Sequence, residues 1–141
     1  MLKIRGEQMQ AFQSAADNAF AKKLVLHLRE KHGDTGVQLP TGTFLVFELP
    51  AETLEAMIHA GLARARNYGF ASEADLAGFV VVMFETAPNF DDHPLLQRGL
   101  KDERVKLEER IDALLQTATE ANWGVVKKEY DPGAWKLKVE D

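Results

Sequence analysis

The amino-acid sequence predicts a mainly α protein, a compact bundle of four to five helices with a small β element. Three observations carry that prediction. Apolar residues recur at helical spacing over several long segments, and glycine or proline stands at each junction between them. Outside the helical periods, strand-favouring residues gather in two places, a short strand near 43–49 and a C-terminal hairpin.

The first helix runs from Gly6 to about His32. Phe12, Ala16, Phe20, Leu24 and Leu28 recur every fourth residue, and Ala15, Ala19 and Val25 widen the stripe. Lys22, Lys23, Arg29 and Glu30 occupy the other face, and Gly33 supplies the stop. Residues 33–50 then break the period, and Thr43-Phe44-Leu45-Val46-Phe47 reads as one extended segment that needs a strand partner.

Pro50 and Glu52 open a second helix with Leu54, Met57, Ile58, Gly61, Leu62 and Ala65 facing inward, ending at Tyr68-Gly69. Ser72 caps a third, with Asp75 three residues on and an apolar face of Leu76, Phe79, Val80, Met83 and Phe84. The short joint between them forces the two to pack as neighbours. Pro94 marks the start of a fourth helix, capped from Asp91 or Asp92. Beyond Gly99 the pattern predicts one long helix from Asp102 to about Asn122, with Val105, Leu107, Ile111, Leu114, Leu115 and Ala118 inward. In the tail, Val125–Tyr130 and Trp135–Val139 favour strand, and Asp131-Pro132-Gly133 between them signals a turn. The expected organisation is a helical domain over 1–122 and a hairpin or tail over 123–141.

At 141 residues the chain suits a single core. Its 17 basic against 22 acidic residues give a net charge of −5, which offers no general attraction to a phosphate backbone, so nucleic acid is not expected as a partner. The chain has no cysteine, which excludes disulfides, thiolate metal sites and cysteine nucleophiles. Met1–Arg5 lacks a secretory apolar run and no segment is long enough to cross a bilayer, so the expectation is a cytoplasmic protein without membrane contact.

No residue set fills catalytic roles. His27, His32, His59 and His93 show no pair at helical zinc spacing, and Asp91, Asp92 and His93 suit capping better than an ion. Ser14 falls in a helix interior and Ser72 at a cap; Gly33, Gly36 and Gly42 lack a phosphate-loop ending. The sequence therefore predicts neither an enzyme nor a bound metal or cofactor. Partner contacts are assigned instead to aromatics outside the helical core, Phe44, Phe47, Trp123, Tyr130 and Trp135, and to Arg64 and Arg66, whose plainer role is to complement the negative end of the second helix.

Ile4-Arg5-Gly6-Glu7-Gln8-Met9-Gln10-Ala11-Phe12, the central stretch GLARARNYGFASEADLAGFVVVMFETAPNFD and the acidic turn before Pro94 together resemble a family of small helical bacterial proteins associated with type VI secretion gene clusters. The resemblance covers roughly residues 4–118. It implies an accessory or co-chaperone that binds a secretion effector, its loading adaptor or a spike component, with no enzyme activity. The chain departs from the family pattern at Thr41–Pro50, which is more strand-like, and beyond Asn122, where the tail is an addition. Two rival readings remain: an immunity protein that occludes a cognate toxin, for which an acidic surface suits a basic nuclease, and a structural subunit that self-associates by strand pairing.

Overall fold

The computed structural model describes residues 6–137, with side chains from residue 15 onward. Within them lie six helices: α1 (Gly6–Lys31), α2 (Ala51–Asn67), α3 (Glu73–Glu85), α4 (Pro94–Leu100), α5 (Arg110–Thr117) and α6 (Glu120–Lys128). A two-stranded antiparallel sheet, β1 (Gly36–Leu39) and β2 (Gly42–Leu45), completes the regular structure, so the protein is mainly α with a small β element.

α1 and α2 lie side by side and antiparallel. Arg29 Nη2 donates to Leu49 O at 2.8 Å where α2 begins, and Arg66 in its last turn reaches Asp17 at 2.7 Å. Ala21, Leu24, Val25 and Leu28 form the inward stripe of α1. This is narrower than the sequence suggested: Ala15, Ala16 and Ala19 are exposed, because a repeat of every fourth residue drifts by about 40° per step around a 3.6-residue helix and carries these positions away from the face of Ala21, Leu24 and Leu28. Phe12, expected in the same stripe, lies outside the described side chains.

The extended segment finds its partner next door. Val37 pairs with Phe44 and Leu39 with Gly42 across the two-residue loop Pro40-Thr41. Val37 and Leu39 are buried, so β1, whose residues read as loop in the sequence, supplies the core face of the hairpin. Extended structure stops at Leu45, and Val46–Glu48 form a 3-10 turn that feeds α2.

α2 and α3 follow the sequence closely. Gly69 takes φ +96° after α2, a conformation that glycine adopts without a Cβ penalty, and turns the chain toward α3. Ser72 Oγ accepts from Asp75 N at 3.2 Å as the N-cap. Gly61 lets the two helices meet closely, since a Cβ there would lie 2.8 Å from Met83 Sδ. The core continues through Phe70, Phe79 and Phe90, with Phe79 and Phe90 ring centroids 4.9 Å apart. α4 begins with Pro94 as expected, but its cap is His93, whose Nδ1 accepts from Leu95 N at 3.2 Å, rather than Asp91 or Asp92.

Two expectations are corrected. The single helix over 102–122 is broken. Asp102 Oδ1 accepts from Arg104 N at 3.0 Å and bends the chain, Arg110 Nε donates to Val105 O at 3.0 Å, and helix resumes only at α5. It stops again at Ala118, because Thr119 and Asn122 form a reciprocal capping box: Asn122 N donates to Thr119 Oγ1 at 3.2 Å and Thr119 N to Asn122 Oδ1 at 2.9 Å. Leu115, expected inside, is 46% exposed.

The C-terminal hairpin is likewise replaced. Val125–Lys128 is the end of α6, nucleated by that box and anchored by buried Val126. Asp131 Oδ1 accepts from Gly133 N at 2.9 Å, so the predicted turn is real but opens a 3-10 turn, Pro132–Trp135, that drives Trp135 into the core. Lys138 and Val139 of the expected second strand lie outside the described residues.

Candidate functional site

The charged groups singled out by sequence are held in internal pairs. Arg64 Nε donates to Asp91 Oδ1 at 3.0 Å and its Nη2 to Asp92 Oδ1 at 3.1 Å, while Arg66 pairs with Asp17. Asp91 is buried and also accepts from the Tyr68 hydroxyl at 2.9 Å. Burial, with the Asp91 carboxylate beside it, holds the Tyr68 phenol well above its usual 10.0. The set ties the end of α2 to the turn before α4. Among the described residues no group of three or more His, Asp or Glu could hold a metal ion.

His32 and Thr35 both bond Glu85 Oε1, Thr35 Oγ1 at 2.9 Å, and this joins the end of α1 to the end of α3. His27 lies against His32 with ring centroids 5.5 Å apart.

Two of the aromatics assigned to partner contact pack inward instead. Trp135 is fully buried against Phe84 at 4.8 Å between centroids, and Tyr130 is half-buried. The Tyr130 hydroxyl accepts from Trp135 Nε1 and from Gln38 N, each at 3.0 Å. Asn89 fastens the same segment by donating to Glu129 O and accepting from Asp131 N, both at 3.0 Å.

Phe44, Phe47 and Trp123 are different. Phe47 is 56% exposed on the 3-10 turn after β2. Phe44 is half-buried in the wall of a groove of about 450 Å³ that Leu39, Leu49, Pro50, Ala56 and Leu137 also line, with Glu48 and Glu52 among its polar residues. Gln38 N–H points away from β2, toward Tyr130. By antiparallel alternation its partner Thr43 therefore directs its N–H and C=O away from β1, along the open edge of β2. Hydrophobic anchors, carboxylates and an open strand edge thus adjoin one another. Such a site can take an extended or partly extended peptide, with main-chain bonds to the edge and a side chain in the groove.

Trp123 lines a second groove, of about 620 Å³, between α3 and α5–α6, with Val81, Val82, Leu115 and Gly124. A third and larger hollow of about 810 Å³ lies between α4 and α5, where Asp102 and Arg104 already pair with each other.

Sequence reasoning named Phe44 in the wall of the groove but not Leu39, Pro50 or Glu52, which reach it only once β1 pairs with β2; Phe47 lies instead beside the end of α1, with His32, Gly33 and Thr35. The signal available was the two-residue Pro40-Thr41 loop between apolar pairs. Comparison with protein-family models, with curated proteins and with solved structures finds no match to this chain.

Proposed function

We propose that this chain is a non-enzymatic protein-binding accessory, a co-chaperone for a type VI secretion effector or its loading adaptor, acting in the cytoplasm and taking its partner at the β1–β2 groove. The observation that carries the binding role is Phe47, a large aromatic ring left 56% exposed on the turn that follows β2. Aromatic anchors of this kind dominate binding energy where they can be desolvated by a partner. Glu48 and Glu52, both exposed, favour a partner segment with basic residues flanking an apolar one. The secretion context rests on the sequence resemblance alone.

The same carboxylates, with the net charge of −5, also favour the immunity reading against a basic toxin. The two roles separate in cells, because an immunity protein alone rescues cells that express the toxin.

The test is affinity purification from native cells of the wild type and of Phe44→Ser and Phe47→Ser variants, with mass spectrometry. Recovery of an effector, adaptor or spike component by the wild type and its loss from both variants supports the reading. Equal recovery by all three would displace the site, and recovery of this chain alone would overturn the accessory role.

A further inference from the structure

Leu26 is the most exposed large hydrophobic side chain among the described residues, at 68%. It stands on the face of α1 opposite the buried stripe, with exposed Lys23 three residues before it and exposed Glu30 four residues after. Helical spacing puts all three on one side. α1 therefore presents an apolar knob between a cation and an anion.

The groove between α3 and α6 has the inverse pattern. Glu120, Trp123, Gly124 and Lys127 form one face of α6 along it, and Val81 and Val82 of α3 lie opposite. Counted along each helix, Lys23, Leu26 and Glu30 have the same offsets as Glu120, Trp123 and Lys127, with the charges reversed. At 1.5 Å per residue both sets span roughly 10 Å. None of Lys23, Glu120 and Lys127 has an ion-pair partner among the described residues, and Glu30 meets only its neighbour Lys31, on the surface at 3.8 Å.

Gly124 sharpens the match. It sits inside α6, where glycine costs about 0.5–1 kcal/mol relative to alanine. Its φ is not in the left-handed region and a Cβ there would meet nothing within 4 Å, so neither backbone nor packing within the chain calls for glycine. Its missing side chain leaves the groove open beside Trp123, with room for a leucine from another molecule.

We propose that this chain self-associates by seating the outer face of α1 from one copy in the α3–α6 groove of another, parallel to α6. In that register Lys23 lies by Glu120, Leu26 by Trp123 and Gly124, and Glu30 by Lys127. The antiparallel alternative sets Lys23 by Lys127 and Glu30 by Glu120, so the charges select direction. The interface is separate from the Phe44 groove and from Phe47, and does not depend on the function proposed for them.

Sedimentation velocity and light scattering over a range of concentrations test the interface. The wild type is expected above its monomer mass of 15.8 kDa in a concentration-dependent manner. Leu26→Ser and Gly124→Trp, both at exposed positions, each weaken association about tenfold or more. Mixing the two variants restores a heterodimer, since each retains the surface the other lacks. Lys23→Glu weakens association, and Lys23→Glu combined with Glu120→Lys recovers it. A wild type that stays monomeric to high micromolar concentration overturns the proposal. So does an oligomer whose mass Leu26→Ser and Gly124→Trp leave unchanged, or a mixture that fails to recover.

Discussion

The Tyr130 hydroxyl accepts a hydrogen bond from the indole N–H of Trp135 at 3.0 Å, and that one oxygen joins the segment after α6 to the β1–β2 hairpin, because Gln38 N–H donates to it as well. The tail is consequently part of the core: Trp135 has no exposed surface and stacks at a tilt on Phe84.

Trp135→Ala is therefore expected to destabilise the protein by about 3–5 kcal/mol, through lost burial and the cavity left behind. Tyr130→Phe removes only the acceptor and strands a buried indole donor, at a cost of about 1–3 kcal/mol. Urea unfolding followed by circular dichroism reads both. A Trp135→Ala variant as stable as wild type would mean the tail is an appendage.

The second buried anchor is electrostatic. Asp91 is 4% exposed and holds both Arg64 and Tyr68, so Asp91→Ala leaves a partly buried guanidinium without its closest counter-charge and should cost about 3 kcal/mol. Asp92, which bonds the same guanidinium from the surface, should matter by about 0.5 kcal/mol or less. Equal losses for the two variants in the same unfolding assay would contradict this division.

These anchors mark the boundary of what the sequence reveals. α2 and α3 are legible because their signals are local: Ser72 with Asp75, Gly69 after α2, and stripes that one helix face must bury. The tail is not. Val125 and Val126 favour strand by propensity, but the Thr119–Asn122 box starts a helix ahead of them, and Val126 gains a core contact in helical register. Arg64 finds its acids 27 and 28 residues downstream, and Trp135 meets Phe84 across 51 positions; no spacing rule predicts such pairs. The exposure of Phe47 against the burial of Trp135 likewise depends on tertiary packing that aromatic content does not encode.

Two helix glycines should respond to alanine with opposite signs. At Gly61 the added methyl would press on Met83 Sδ at 2.8 Å and Val80 Cγ2 at 3.0 Å, and overpacking of about 1–3 kcal/mol outweighs the helix-propensity gain. At Gly124 the space is open, so Gly124→Ala gains about 0.5–1 kcal/mol of propensity. Thermal unfolding of the two variants checks the pair, and stabilisation at Gly61 would show that α2 and α3 pack less tightly than described.

Both tyrosines of the chain hold their protons above the ordinary 10.0, Tyr68 through burial and the Asp91 carboxylate beside it, Tyr130 chiefly through burial. A folded-state pKa raised above the unfolded value means that, above pH 10, the unfolded chain loses protons the folded one keeps. The contribution is intact below pH 10 and is lost as pH rises from there toward the folded values. Stability should accordingly fall through that alkaline range, and ultraviolet titration should show less tyrosinate near pH 10 in the folded protein than in the chain unfolded by urea. Tyr68→Phe should flatten part of the slope. A folded protein with one phenol titrating at its ordinary value would mean that the corresponding hydroxyl, on Asp91 or under Trp135, is open to water.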